Sequence, residues 1–262
     1  MKAFVNCRSR TLAVLLVVLF ATTALAHPGS GIVVDKRGQV FFADTGSGLW
    51  KIDAHGALIQ IPAPRFHWLA LDEAGGLKSV RLPSGPSGEI TRVGDTPHLL
   101  LASDYPLATG GDGNLYYPSK GQGGNLDVVR LTPSGRRSVL TRLHLPYVNG
   151  LASGELGSLY FTENDAVRRI SAEGTVSTIV TKVSLSGCAS IPGNDPNDPL
   201  LRGLAVDAAG TTYVAASGCG QVLKVTRDGK IATLLQTESP WSPTAVALSG
   251  QDVYVLEYLH TA

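Results

Sequence analysis

Gly203-Leu204-Ala205-Val206-Asp207-Ala208-Ala209-Gly210-Thr211-Thr212-Tyr213-Val214-Ala215 reads as a short apolar strand, a tight turn carrying glycine and a second strand; Val222-Leu223-Lys224-Val225 reads as a third. The same order returns along the chain. Gly31 to Asp35, Trp68 to Asp72, Gly150 to Ala152 and Thr244 to Leu248 repeat the first strand, and Val40 to Asp44, Leu115 to Tyr117 and Leu159 to Thr162 repeat the second. Gly48 to Ile52, Asp127 to Leu131 and Val167 to Ile170 repeat the third, and a glycine turn such as Ala172-Glu173-Gly174 leads into a fourth, Val176 to Val180.

Four antiparallel strands in a unit of about 40 residues make a β-propeller blade. Units begin near residues 31, 68, 107, 150, 203 and 244, which predicts an all-β, six-bladed propeller in one domain spanning 27–262. The second unit fits less well, because Gly76 to Pro97 carries two extra turns. The sixth supplies only two strands, Thr244 to Leu248 and Asp252 to Tyr258. The expectation is an incomplete sixth blade, an open ring with an unprotected strand edge and a truncated version of a longer protein. The chain is expected to be monomeric unless that open blade associates.

The first 26 residues are of another kind. Lys2, Arg8 and Arg10 precede an apolar stretch from Leu12 to Leu25, and Ala24-Leu25-Ala26 places small residues where a signal peptidase cuts. The stretch is shorter than the roughly 20 residues a spanning helix needs. A secreted or periplasmic protein beginning at His27 follows, with no membrane attachment after cleavage. Removing the three cations turns the formal net charge from +1 to −2, and a chain without basic excess is a poor nucleic-acid binder. With 16% charged residues and 30 glycines, the composition also excludes coiled coil and disorder.

The stretch Gly203 to Val225 resembles the NHL repeat, and Asn149-Gly150-Leu151-Ala152 running into Leu159-Tyr160-Phe161-Thr162 resembles the gluconolactonase and senescence-marker-protein (SMP-30) family of six-bladed propellers. The resemblance implies a divalent cation on the central axis, held by a Glu from the first blade and by Asn and Asp from later ones. Asn149 sits in a matching motif. The first inner strand is preceded by His27-Pro28-Gly29-Ser30 without a Glu, and the fifth by Leu201-Arg202 without an Asp.

Residues leading into the inner strands should converge on the loop face: Ser30, His67, Asp104, Asn149, Arg202 and Thr244. His67, Asp104, Asn149 and Arg202 are the expected ligand-binding set, with His67, Asp104 and Asn149 as candidate metal ligands. Other readings stay open. His67 and Asp104 could bond backbone at the channel mouth, Asn149 could serve its turn, and Arg202 could pair with Asp104 or bind an anion. No Cys-x-x-Cys, His-Glu-x-x-His, Gly-x-Ser-x-Gly or phosphate loop is present.

Cys188 and Cys219 remain once Cys7 leaves with the signal, and both fall on loops of the fifth unit's loop face, so an oxidising compartment predicts a disulfide. Two functions compete. One is an exported module binding a small molecule, glycan or protein on its loop face; the other is a hydrolase or lyase with an axial cation.

Overall fold

The computed structural model describes residues 29–85, 88–94, 96–185, 188 and 194–259. The expected signal peptide, its cleavage site and His27 lie outside the described residues.

Strand alternation and Asp- or Thr-led turns build the blades. Blade 1 runs β1 (Ile32–Val34), β2 (Val40–Asp44), β3 (Gly48–Ile52) and β4 (Leu58–Ile61), hydrogen-bonded in that order. Blade 2 contains β5 (Trp68–Leu71), β6 (Ile90–Val93) and β7 (Thr96–Ala102) in the spatial order β5-β7-β6. The chain therefore lays down an outer strand first and returns between it and the inner one, which accounts for the extra turns of this unit. Blade 3 comprises β8 (Ala108–Thr109), β9 (Leu115–Lys120), β10 (Leu126–Leu131) and β11 (Arg137–Leu143). Blade 4 comprises β12 (Gly150–Ser153), β13 (Leu159–Thr162), β14 (Val167–Ile170) and β15 (Val176–Val180). Blade 5 comprises β16 (Leu201–Val206), β17 (Thr212–Ala216), β18 (Gln221–Val225) and β19 (Ile231–Gln236). The sixth sheet is two-stranded, β20 (Trp241–Ser249) with β21 (Asp252–Leu259). Counting sheets of three or more strands, the propeller has five blades; the sixth sheet is the incomplete one.

In blades 1 and 5 the turn after the inner strand explains why an Asp follows it. Asp207 Oδ1 accepts the backbone N–H groups of Ala209 and Thr211, and Gly210 closes the turn at φ +79°, a conformation open to glycine at little cost. Asp35 does the same for Arg37 and Gln39.

Apolar clusters fill the spaces between consecutive blades. Phe41, Leu69 and Leu101 join blades 1 and 2; Leu100 and Tyr117 join blades 2 and 3; Tyr116, Leu151 and Phe161 join blades 3 and 4. Tyr160, Leu204 and Val214 join blades 4 and 5, and Ala215, Val222 and Val246 join blades 5 and 6. Blades 6 and 1 differ. Strand β20 packs beside β1, so the inner ring closes after all, but outside it Phe42, Trp241, Leu256 and Tyr258 line a cavity of about 270 Å³. The expected opening is thus confined to the outer half of the sixth blade. Second strands elsewhere are flanked on both sides: every residue of β13 is buried, whereas Val253 to Leu256 of β21 are all half-buried.

Candidate ligand-binding site at the loop face

The six inner strands surround a channel of about 270 Å³ whose wall includes Val33, Leu69, Leu107, Leu151, Leu204 and Val246. Aliphatic walls of this kind exclude charge, so polar recognition falls to the residues at the strand ends.

Crossing of neighbouring inner strands near the axis requires glycine. A Cβ on Gly150 would stand 2.6 Å from Arg202 O, one on Gly31 2.7 Å from Leu69 N, and one on Gly203 2.8 Å from the Ala245 Cβ. The recurring glycine of the repeat therefore lets adjacent blades approach, and it fixes what lies next to it.

Next to Gly150 stands Asn149. Its Nδ2 donates to Asn164 Oδ1 and to Leu201 O, each at 2.9 Å. Thr162 Oγ1 donates to Arg202 O at 2.7 Å. Blades 4 and 5 are thereby laced together at this end, and Asn149 lies beside the strand that carries Arg202. Asn164, which orients the Asn149 amide, is not among the residues the sequence led us to expect there.

Arg202 is half-buried, and burial alone holds its guanidinium below the usual arginine range. Its Nε is buried without a hydrogen-bond partner. Among the described residues no carboxylate pairs with it: Glu163 is taken by Arg168, and Asp127 by Arg142. The pairing of Arg202 with Asp104 left open by the sequence is not made.

The backbone that delivers Arg202 is held from several sides. Leu200 sits at φ +44°, a conformation that costs a branched residue roughly 1–3 kcal/mol and persists only where its surroundings impose it. Here Leu200 N donates to Asp198 Oδ1, Leu200 O accepts from Ser217 N, and Pro199 O accepts from Gly218 N. Ser217 and Gly218 belong to the turn ending at Cys219, which is disulfide-bonded to Cys188. The expected bridge is present, and it fastens the turn on which the Arg202 segment rests.

His67 and Asp104 occupy a different place. His67 Nδ1 lies 2.6 Å from Ser103 O, and the hydroxyl of Ser103 donates to Asp104 Oδ2 at 3.1 Å. Asp104 is exposed and lines a cavity between blades 2 and 3, apart from the channel-lining residues. Tyr105, rather than Asp104, takes the position equivalent to His67 and Asn149: the turn of blade 3 closes from Gly110, five residues after Tyr105, as that of blade 5 closes from Asp207, five after Arg202. The structure thus groups Asn149 with Arg202 and His67 with Asp104.

Among the described residues no three His, Cys, Asp or Glu side chains gather to hold a metal ion. An uncompensated guanidinium in the strand beside Asn149 works against a divalent cation there. His67, Asp104 and Asn149 do not fit such an ion as a set.

No family model matches the chain. It is 26% identical over 232 residues to virginiamycin B lyase of Nocardia farcinica, across 84% of this chain and 74% of the lyase. A structure assigned as a gluconolactonase superposes with a TM-score of 0.60 at 20% identity, covering 86% of this chain and 84% of its own. Regucalcin from Agrobacterium tumefaciens, a calcium-binding protein, superposes with a TM-score of 0.57 at 17% identity, covering 87% and 81%. At these identities the structures speak to architecture alone: the chain has the β-propeller fold seen in gluconolactonase and regucalcin.

Proposed function

We propose that the protein is an exported β-propeller that binds a small anionic molecule at the loop-face end of blades 4 and 5, with Arg202 as its charge partner and Asn149 beside it. One observation carries the reading: a half-buried guanidinium with no carboxylate opposite it. An unpaired charge withdrawn from water is costly, and a bidentate carboxylate or phosphate relieves that cost. Export is supported by the leader-like first 26 residues and by the disulfide, a bond that persists in oxidising compartments.

A thermal-shift screen of the protein without its leader, against small carboxylates and phosphate monoesters, tests it. A ligand at a hundred times its Kd stabilises by about 2.7 kcal/mol, or roughly 5–10 °C for a domain of this size. The shift should vanish in Arg202→Met. Shifts equal in both proteins, or absent throughout the screen, would reject the site.

A second reading is a lyase or hydrolase, supported by the similarity to virginiamycin B lyase along most of the chain. Elemental analysis of protein purified without chelators separates the two. A stoichiometric divalent ion would favour the enzyme, and with it a ligand set other than His67, Asp104 and Asn149.

A further inference from the structure

A further cavity of about 170 Å³ lies between blades 2 and 3, at the same end of the strands. Pro83, Ile90, Ala102 and Pro118 give it apolar wall; Glu89, Asp104, Tyr105, Tyr117, Ser119 and Arg137 give it polar groups. These groups are largely unused. Tyr117 is only 7% exposed, yet its hydroxyl makes no hydrogen bond to a described residue, and neither does that of Tyr105. Asp104 accepts one bond, from Ser103, and Arg137 makes one long one, 3.3 Å to Arg81 O. The Tyr117 hydroxyl is not sealed off in the core, so it is open to the cavity and available to a ligand.

We infer that this cavity binds one terminal unit of a neutral saccharide. Two exposed carboxylates, an exposed guanidinium with one long bond and two phenols around one cavity suit a ligand that donates and accepts at several points, as hydroxyls do. Two carboxylates against one guanidinium repel an anion, and a simple amine would leave Arg137 and both phenols unsatisfied. A pyranose ring also carries an apolar C–H face, which matches the proline and tyrosine surfaces. The volume, below the roughly 300 Å³ of a drug-sized pocket, admits a single ring. Gly88 borders the site: a Cβ there would lie 3.6 Å from the Tyr105 ring and 4.0 Å from Asp104 Oδ2.

Saturation-transfer NMR with the methyl glycosides of glucose, galactose, mannose and N-acetylglucosamine tests it on the protein without its leader. At least one should bind saturably. Tyr117→Phe and Asp104→Asn, which keep shape and packing, should each weaken it about tenfold, the equivalent of one hydrogen bond. Arg202→Met should leave it unchanged, so this test and that of the anion site fail independently. Three results would overturn the proposal: no saturable glycoside binding, binding indifferent to both cavity variants, or preference for methylammonium or acetate over every glycoside. Unchanged melting temperatures show that the variants are folded.

Discussion

The backbone oxygen of Arg202 occupies the space where a Cβ on Gly150 would sit, 2.6 Å from that position. One contact thus links the repeat's most recurrent residue to the proposed ligand partner. Gly150→Ala must push blade 5 outward or strain blade 4, at about 1–3 kcal/mol for an overpacked contact. We expect the melting temperature to fall by roughly 3–9 °C on that basis, with weaker anion binding. Gly94→Ala is the control, since nothing lies within 4 Å of its added carbon; calorimetry of the pair checks the contrast.

The disulfide should contribute both stability and site order. Cys188 and Cys219 are 31 residues apart, and closing a loop of that length is worth about 3.5 kcal/mol in the chain-entropy view. Cys188→Ser with Cys219→Ser should lower the denaturation midpoint accordingly and weaken anion binding, because the Ser217–Cys219 turn supports Pro199 and Leu200. Equal binding by both proteins would separate the bridge from the site.

Acid sensitivity has a definite source in one exposed pair. Lys230 and Thr226 hydrogen-bond the Asp228 carboxylate and lower its pKa from 3.8 to about 2. A carboxylate acid-strengthened by folding stabilises the native state above its unfolded pKa, and that stabilisation fades as pH falls from about 4 through about 2. Asp228→Asn should flatten the stability profile within this window by removing that stabilisation, so the variant is slightly less stable at neutral pH and the two proteins converge near pH 2. Full exposure keeps the effect small.

Strand β21 pairs only with β20 among the described residues. Half of its amides point away from that partner, so hydrogen exchange there should be far faster than in the buried β13 of blade 4. Protection equal to that of β13 would mean that something else covers the sixth blade.

Strands were legible in the sequence wherever a residue served the repeat itself. Asp207 and Gly210 declare a turn by chemistry, and Gly31, Gly150 and Gly203 mark the close approach of inner strands. Legibility failed where the repeat is broken. The inner strand of blade 3 is only Ala108–Thr109, too short to fix its register, and Asp104 was set one residue out of line with His67 and Asn149. The inverted order of β6 and β7 has no periodic signature, because spatial order within a sheet is not written in alternation. Arg202 was visible as a candidate, but its lack of a partner depends on Glu163 being held by Arg168 and on Asp104 facing another cavity. Tyr105, Tyr117 and Arg137 come from separate segments, and nothing local relates them.

Anion binding at Arg202 would be read first in its own Nε–Hε resonance, assigned through Arg202→Met in proton–nitrogen spectra. Titration with the carboxylate or phosphate ester that raises the melting temperature should shift this resonance saturably, with the midpoint matching the thermal data. A resonance that stays fixed while the ligand binds would place the anion elsewhere and contradict the claim.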